Sequence, residues 1–211
     1  MYRTMLFAPA DHPRRREKAL ALEADAVILD LEDAVAVQEK PKARAEAREF
    51  VAARGRGSPV PIYVRINDLL TPWALDDLLE VTVPGLAGVV LPKVERPEHI
   101  WTADWLLANR ERDLGLETGH FHLIPILETA EGIARAYEIA TASPRLKVLA
   151  FGAGDYTKDI DVRWPQDGSE LLYPRLVLVN VSRRAGLFKP LDGPWPRIED
   201  LEGMERDTLQ A

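Results

Sequence analysis

The stretch Ile124-Pro-Ile-Leu-Glu-Thr-Ala-Glu-Gly132 is an apolar run of strand character that ends on a carboxylate, Glu128, and then turns into a loop. The stretch Phe151-Gly-Ala-Gly-Asp-Tyr-Thr157 repeats this pattern and ends on Asp155. The two acids are about one strand–helix repeat apart, and the carboxyl ends of neighbouring parallel strands meet at the same edge of a sheet. The pattern predicts a parallel α/β fold that carries both carboxylates on one face.

The same alternation extends outward from these two stretches through the whole chain. Apolar runs of strand length occur at residues 3–8, 25–31, 60–66, 86–92, 121–127, 147–152 and 186–191. Helical periodicity occurs at residues 13–23, 41–54, 73–81, 97–113, 131–142, 170–185 and 197–209. Seven βα units can be counted, which predicts a TIM (β/α)8-type barrel formed by a single domain over residues 1–211. An eight-unit barrel usually has about 250 residues, so the eighth strand is predicted to be absent.

Composition excludes several classes of protein. With 46% hydrophobic and 29% charged residues, the chain is typical of a globular protein, and its net charge of -7 argues against nucleic acid as a partner. The sequence has no cysteine, which excludes disulfides, thiol catalysis and cysteine-ligated zinc. No apolar run is long enough for a membrane span or a signal peptide. These observations predict a cytoplasmic enzyme that binds neither nucleic acid nor membrane.

Charged and amide side chains follow almost every predicted strand. They are Asp30, Glu32 and Asp33, then Arg65 and Asn67, then Lys93 and Glu95, and finally Glu128, Asp155 and Asp192. In a barrel of this kind the active site lies at these strand ends. Repulsion among so many acids costs stability unless a cation, or Arg65 and Lys93, offsets it. Mg2+ suits such a place, because it takes few protein oxygens and keeps room for water and substrate.

Six groups of residues in the chain also occur in one known family. In chain order they are Leu6-Phe-Ala-Pro9 with Lys18-Ala19, Ile28-Leu-Asp-Leu-Glu-Asp-Ala-Val35 followed by Glu39-Lys40 and Ala43-Arg44, Val64-Arg-Ile-Asn67, Leu91-Pro-Lys93, Glu128-Thr-Ala-Glu-Gly132 and Gly152-Ala-Gly-Asp155. Together they closely resemble the citrate lyase beta-subunit-like branch of the HpcH/HpaI aldolase/citrate lyase family. The resemblance runs from residue 2 to about residue 193. It implies a TIM barrel that uses Mg2+ and makes or breaks carbon–carbon bonds between an acyl-CoA enolate and a 2-oxo acid.

The resemblance also implies roles for particular residues. Glu128 and Asp155 match the two metal-binding acids, and Arg65 matches the arginine that holds a substrate carboxylate. The acidic cluster that braces the site and orders water is matched by Asp30, Glu32 and Asp33. The backbone of Gly152, Ala153 and Gly154 is expected to lie close to the bound 2-oxo acid, beside Glu128. The basic run containing Arg14, Arg15 and Lys18 lies where relatives bind the phosphates of CoA.

Relatives continue beyond the Leu191-Asp-Gly-Pro194 segment into an eighth strand and a C-terminal lid, and the comparison of motifs predicts that both are absent here. The resemblance implies a homo-oligomer, such as a trimer, with oxaloacetate or a related 2-oxo acid and an acyl-CoA thioester as small-molecule partners. The leading hypothesis is a lyase that cleaves a citryl-CoA-like thioester to acetyl-CoA and oxaloacetate. A close second is a stand-alone malyl-CoA or citramalyl-CoA lyase, synthase or thioesterase. A third hypothesis is a non-catalytic subunit that binds a keto acid or partner proteins.

Each assignment has a plainer structural alternative. Glu128 and Asp155 are also well placed to be N-caps of the helices that follow them. The acids at 30, 32 and 33 fit a solvated loop, and Arg65 fits a structural salt bridge with Asp30. The run at 14–16 fits a polar helix face, and Lys93 fits a structural role. Trp101 and Trp105, four residues apart on one predicted helix, are expected to pack against the core.

Overall fold

The continuous apolar runs of the sequence form the parallel strands of one sheet. A computed structural model describes residues 2–164 and 167–211. Its strands are β1 (Met5–Pro9), β2 (Ala26–Asp30), β3 (Ile62–Arg65), β4 (Leu86–Leu91), β5 (His122–Leu127) and β6 (Ala150–Phe151). Their order in the sheet is the order of the chain, and each assigned pairing is parallel. All residues of β2 are buried, as an apolar run with almost no polar interruption predicts.

The helices lie between these strands and after the last one. They are α1 (Pro13–Leu20), α2 (Lys40–Arg54), α3 (Ala74–Val81), α4 (Pro97–Asp113), α5 (Ala130–Ala134), α6 (Ala136–Ala140), α7 (Ala153–Asp159), α8 (Leu172–Ala185) and α9 (Leu201–Gln210), with 3-10 turns at Val37–Glu39 and Ser169–Leu171. Pro13 begins α1, where its missing N–H costs nothing. Throughout residues 2–164 and 167–211, each helix is too short or too polar to cross a bilayer.

The chain divides into two compact units. The first contains Met1–Pro92 and Trp101–Ile124, and the second contains Lys93–Ile100 and Pro125–Ala211. In the first unit, Asp30 at the end of β2 lies in register with Arg65 at the end of β3. In the second unit, Leu127 at the end of β5 lies in register with Phe151 at the end of β6. In each unit, therefore, a candidate side chain or its immediate neighbour lies at the carboxyl end of a strand.

Three predicted elements differ in the structure. The helix predicted at 131–142 is interrupted at Arg135, whose φ of -100° and ψ of 13° leave the helical region. The seventh predicted strand, at 186–191, is a single parallel bridge between Leu191 and Ala150. Nearby backbone bonds extend this contact, from Phe188 N–H to the Lys147 carbonyl and from Leu191 N–H to the Leu149 carbonyl, at 2.8 and 2.9 Å. The segment after β6, which the sequence predicts to be a loop, forms α7.

The packing prediction for the two tryptophans of α4 is wrong. Ile100, Ala103 and Leu107 are buried, whereas Trp101 is 54% exposed and Trp105 is 67% exposed. The helix carries apolar residues on two faces, and the smaller side chains are the ones that meet the core.

Candidate functional site

The first candidate group is a buried ion-pair cluster in the first unit. Arg65 donates from Nε to Asp30 Oδ1 and from Nη2 to Asp30 Oδ2, each at 2.7 Å. Its Nη1 lies 2.8 Å from Glu32 Oε2. The two hydrogen bonds to Asp30 use the Nε–H and one N–H of Nη2, and Nη1 forms an ion pair with Glu32. The salt bridge predicted between Arg65 and Asp30 is confirmed, and it is bidentate.

Backbone contacts fix the carboxylate that faces the arginine. Asp30 accepts hydrogen bonds from the N–H of Glu32 at 2.9 Å and from the N–H of Ala34 at 3.1 Å. Arg65 also lies over the ring of Phe7, with 5.0 Å from its guanidinium carbon to the ring centroid. Burial works to lower the pKa of Arg65, but the hydrogen bonds and charge of Asp30, together with the charge of Glu32, raise it. The cluster therefore holds a permanent cation in a fixed orientation.

The acidic cluster separates into two kinds of residue. Asp30 and Glu32 are 3% and 7% exposed, so the solvated-loop alternative is wrong for them. Asp33 is exposed, and that alternative fits it. Only the first two acids contact Arg65 among the interactions of the described residues.

A buried lysine stands next to this cluster, and its role was not predicted from the sequence. Lys40, the first residue of α2, donates from Nζ to the carbonyls of Leu31 and Glu32 at 2.9 and 3.0 Å. Its third donor reaches Asn67 Oδ1 at 2.5 Å. A lysine at the start of a helix usually faces solvent, so its position gives no reason to expect burial. Only its place in one of the six groups of residues singled out Lys40.

The second candidate group lies in the second unit and contains Glu128. This carboxylate is 3% exposed, and its Oε1 accepts the backbone N–H of Lys93 at 2.8 Å. Lys93 has a φ of +50°, in the left-handed region that residues with a side chain rarely adopt. Such conformations persist where the surrounding structure imposes them, often at functional sites. The conformation aims the Lys93 N–H at Glu128.

Asp155 belongs to the same group. Lys158 Nζ lies 2.7 Å from its Oδ1, and Lys93 Nζ lies 3.3 Å from its Oδ2. Burial works to raise the pKa of Asp155, but the hydrogen bond from Lys158 and the charge of Lys93 outweigh it and lower the pKa. Lys93 therefore contacts both acids, Glu128 through its backbone and Asp155 through its ammonium group. This shared contact brings the two acids to one place.

Neither acid is a helix cap. Thr129 caps α5, and its hydroxyl accepts the N–H of Gly132 at 3.1 Å. Gly152 is the N-cap residue of α7, so Asp155 lies in the first turn of that helix. The N-cap alternative is therefore wrong for both Glu128 and Asp155. Their side chains are left to serve contacts other than helix capping.

Gly152 is the residue that makes room for Glu128. A β-carbon added at position 152 would overlap Glu128 Oε2 and lie 2.6 Å from the β-carbon of Glu128. A residue larger than glycine would thus displace the carboxylate. By contrast, a β-carbon at Gly154 would meet only Trp164, at 3.9 Å, which is an ordinary contact.

Gly152→Ala is expected to lower the affinity for Mg2+ about tenfold or more, because it moves Glu128 away from its position. The overlap should also lower the free energy of unfolding by about 1–3 kcal/mol. Calorimetric titration with Mg2+ measures the first effect and urea unfolding the second. Gly154→Ala is the matched control and should keep the Mg2+ affinity. Equal affinities in all three proteins would contradict the proposed position of Glu128.

The donor set of the second group fits a hard divalent cation. Glu128 and Asp155 offer carboxylate oxygens, the ligands that Mg2+ prefers, and Mg2+ often uses only one or two carboxylates from a protein. Within residues 2–164 and 167–211, no cluster of three or more histidine, aspartate or glutamate side chains has metal-binding geometry. A metal here would therefore depend on these two acids together with water or substrate oxygens.

The remaining predicted residues lie on helices. Arg14, Arg15 and Lys18 are exposed on α1, as a polar helix face or a phosphate site requires. Arg16, from the same run, is buried and pairs with Glu46 at 3.0 Å. Ala153 and Gly154 form the first turn of α7. The CoA assignment stays a prediction.

Comparison with known proteins places the chain in a family. Residues 3–210 match the HpcH/HpaI aldolase/citrate lyase family. The citrate lyase subunit beta of Leuconostoc mesenteroides subsp. cremoris is 36% identical over 206 residues, which cover 98% of this chain and 68% of that protein. The chain belongs to the HpcH/HpaI aldolase/citrate lyase family. The resemblance inferred from the six groups of residues is thereby confirmed.

Two further proteins extend the comparison. The L-malyl-CoA/beta-methylmalyl-CoA lyase of Cereibacter sphaeroides is 34% identical over 229 residues, covering 99% of this chain and 71% of that protein. A solved structure described as the citrate lyase beta subunit complexed with oxaloacetate and magnesium, from M. tuberculosis, is 30% identical. It superposes with a TM-score of 0.76 and covers 96% of this chain and 83% of that one. These relatives are carbon–carbon lyases by name.

The pKa of Asp155 gives this family member a predicted pH dependence. Because the folded pKa lies below the ordinary value of 3.8, the ion pairs of Asp155 stabilise the fold above that value. This contribution is lost as the pH falls through the lowered folded pKa. The difference in free energy of unfolding between wild type and Asp155→Asn should be constant from about pH 5 to pH 8 and should shrink below about pH 4. Urea unfolding across this range checks it, and a difference that grows on acidification would contradict it.

Proposed function

We propose that this chain is a Mg2+-dependent carbon–carbon lyase that cleaves a citryl-CoA-like thioester to acetyl-CoA and oxaloacetate. The observation that carries the proposal is the contact of Lys93 with both Glu128 and Asp155, which gathers two carboxylates at the ends of β5 and β6. Family membership supports the reaction class. The relative crystallised with oxaloacetate and magnesium supports the ligand class.

In this proposal Glu128 and Asp155 hold the metal. When bound, Mg2+ supplies Lewis-acid stabilisation of oxygen charge in the transition state. Glu128 is kept in place by the Lys93 N–H and by the space over Gly152. Asp155 is kept ionised by Lys93 and Lys158, so it presents a negative charge at neutral pH.

Arg65 is proposed to bind a carboxylate of the substrate. Asp30 takes hydrogen bonds from the Nε/Nη2 edge of the guanidinium and Glu32 pairs with Nη1, and the remaining N–H groups of the two Nη atoms are proposed to bind the substrate carboxylate end-on. An arginine already held in place loses little conformational entropy when a ligand arrives. We assign removal of the hydroxyl proton to a water held by Asp30, Glu32 and Asp33. The electron pair of the broken carbon–carbon bond then passes to the thioester α-carbon, which is finally protonated.

Three finer assignments belong to the same proposal. The backbone of Gly152, Ala153 and Gly154 lies along the 2-oxo acid, and CoA is bound as part of the substrate with Arg14, Arg15 and Lys18 near its phosphates. The segment 186–191, with its backbone bonds to Lys147 and Leu149, serves as the seventh strand of a (β/α)8-type barrel. A homo-oligomer such as a trimer stays a prediction.

A second candidate is cleavage, synthesis or hydrolysis of malyl-CoA or citramalyl-CoA. The observation that favours it is the similarity to the malyl-CoA lyase of Cereibacter sphaeroides, which is 34% identical over nearly the whole chain. Both candidates use the same metal and the same carboxylate contact. Where the reaction is cleavage, they differ in the 2-oxo acid that is released.

Calorimetry followed by a turnover assay tests the proposal. Oxaloacetate, glyoxylate and pyruvate are titrated with and without Mg2+, and we expect binding that depends on the metal. A panel of citryl-CoA, malyl-CoA and citramalyl-CoA is then assayed for release of the oxo acid. Turnover of citryl-CoA supports the first candidate and turnover of either other thioester supports the second. Binding of a keto acid without turnover of any thioester would favour the non-catalytic subunit.

A further inference from the structure

Lys40 makes an unusual set of contacts for a lysine. The residue is 5% exposed, and each of its three ammonium donors has one partner in the structure. Two partners are the backbone carbonyls of Leu31 and Glu32, and the third is the side-chain oxygen of Asn67. The ring of Trp73 lies 5.4 Å from Nζ and adds a cation–π contact. The ammonium is thus completely coordinated by protein groups.

The backbone that Lys40 holds is the segment that carries the acids around Arg65. Leu31 and Glu32 directly follow Asp30, the residue that takes the side-on pair of hydrogen bonds from Arg65. Glu32 in turn contacts Nη1 of the same arginine. A shift of the carbonyls at 31 and 32 would therefore shift the Glu32 carboxylate as well.

The third contact of Lys40 is with Asn67, on the segment that follows Arg65. Asn67 lies two residues after Arg65, and its side chain and backbone N–H donate to Asp77 Oδ2 at 2.6 and 3.0 Å. Asp77 also accepts from Arg44 Nε at 2.7 Å, and Arg44 belongs to α2, as Lys40 does. Lys40 therefore cross-links the segment after β2 to the segment after β3, which begins directly after Arg65.

The ammonium is suited to this task for a geometric reason. Its three direct acceptors are neutral, so no partner in direct contact requires a positive charge. Three donors on one atom can hold two carbonyls and an amide oxygen at once, which no other single side-chain atom can do. Burial lowers the pKa of Lys40, while the charges of Asp77, Asp30, Glu32 and Asp33 oppose that shift. An apolar side chain at position 40 would leave these three buried acceptors without this donor.

We propose that Lys40 is a positioning residue for substrate binding: it fixes the Leu31–Glu32 backbone relative to Asn67 and so holds Arg65 in the orientation that accepts a carboxylate. The inference rests on the proposed role of Arg65 as the carboxylate-binding group. It predicts that Lys40 affects the oxo acid and not the metal, because the contacts described for Lys40 are with Leu31, Glu32, Asn67 and Trp73, around Arg65 and not around the metal-binding acids.

The test compares Lys40→Met with Lys42→Met. Lys42 is on the same helix, is exposed, and makes only a long ion pair with Glu39 at 3.8 Å. We expect Lys40→Met to weaken oxaloacetate binding at saturating Mg2+ by about tenfold or more, and to leave the Mg2+ affinity within about twofold of wild type. Lys42→Met should change neither. Equal loss of both affinities, or no loss of oxaloacetate binding, would overturn the proposal.

A second readout does not depend on any ligand. The Nε–H signal of Arg65 in a nitrogen–proton NMR spectrum reports the hydrogen bond to Asp30 directly. It should shift or broaden in Lys40→Met and stay in place in Lys42→Met, and an unmoved signal in Lys40→Met would overturn the proposal. Should Lys40→Met fail to fold, Asn67→Ala removes one acceptor and must show the same two effects at smaller size. The two proposals can fail separately. If the wild type does not bind oxaloacetate, the proposed function is wrong. If the Arg65 signal still moves in Lys40→Met, Lys40 nevertheless positions Arg65.

Discussion

Glu128→Gln is expected to abolish measurable Mg2+ binding and to lower lyase turnover by about a thousandfold. The substitution removes one of only two carboxylates in the candidate metal site. Glutamine keeps an oxygen that can accept the Lys93 N–H, so the local fold should survive. The effect is therefore expected in metal affinity and turnover, with little change in stability.

Calorimetry with Mg2+, a turnover assay and a thermal melt measure these three quantities for Glu128→Gln. The matched control is Glu131→Gln, because Glu131 lies on the first turn of α5, is half-buried, and pairs with Arg135 four residues along. It should bind Mg2+ as wild type does. Asp155→Asn should behave as Glu128→Gln does. Full turnover in both site variants would identify the chain as a protein whose main activity needs no metal at these acids.

Arg65→Met is expected to lower the free energy of unfolding by about 3–5 kcal/mol. It leaves Asp30 and Glu32 buried without the cation that now contacts both of them. It should also abolish oxaloacetate binding, because the proposed carboxylate contact is gone. Urea unfolding and calorimetry measure the two losses.

A second variant separates the two effects of Arg65. Arg65→Met combined with Asp30→Asn removes one of the uncompensated charges and should regain part of the stability, without regaining oxaloacetate binding. Arg54→Met is the control for loss of an ordinary ion pair, since Arg54 contacts Glu17 at 2.8 Å with both side chains about half exposed. It should cost about 0–1 kcal/mol. A similar cost for Arg65→Met would show that the buried cluster contributes no more than a surface pair.

The strands and the acids at their ends could be predicted from the sequence, because a strand that is buried on both faces has a nearly continuous apolar sequence. Val27-Ile-Leu-Asp-Leu31 is apolar except for Asp30, and the isolated acid marks the strand end that pairs with Arg65. The prediction of a loop after β6 is wrong. Gly152 and Gly154 suggest a loop, yet Gly152 is needed for the space that Glu128 occupies, and α7 begins directly after it.

Lys40 and Lys93 could not be predicted in their roles, because those roles depend on contacts distant in sequence. A lysine at the start of a helix looks exposed, and only the carbonyls at 31 and 32 together with Asn67 reveal why it is buried. The backbone angle at Lys93 has no sequence signal either, since most left-handed residues are glycine or asparagine. The side of α4 that packs against the core also depends on contacts distant in sequence. The exposure of Trp101 and Trp105 therefore could not be predicted.

Because the backbone of Lys93 is left-handed, selection for heat resistance favours glycine at this position. Glycine at position 93 would relieve about 1 kcal/mol of conformational strain, so a screen for heat resistance should enrich it. The same replacement deletes the ammonium group opposite Asp155. More heat-resistant variants would then be selected, and they would lack one of the two ammonium groups that keep Asp155 ionised.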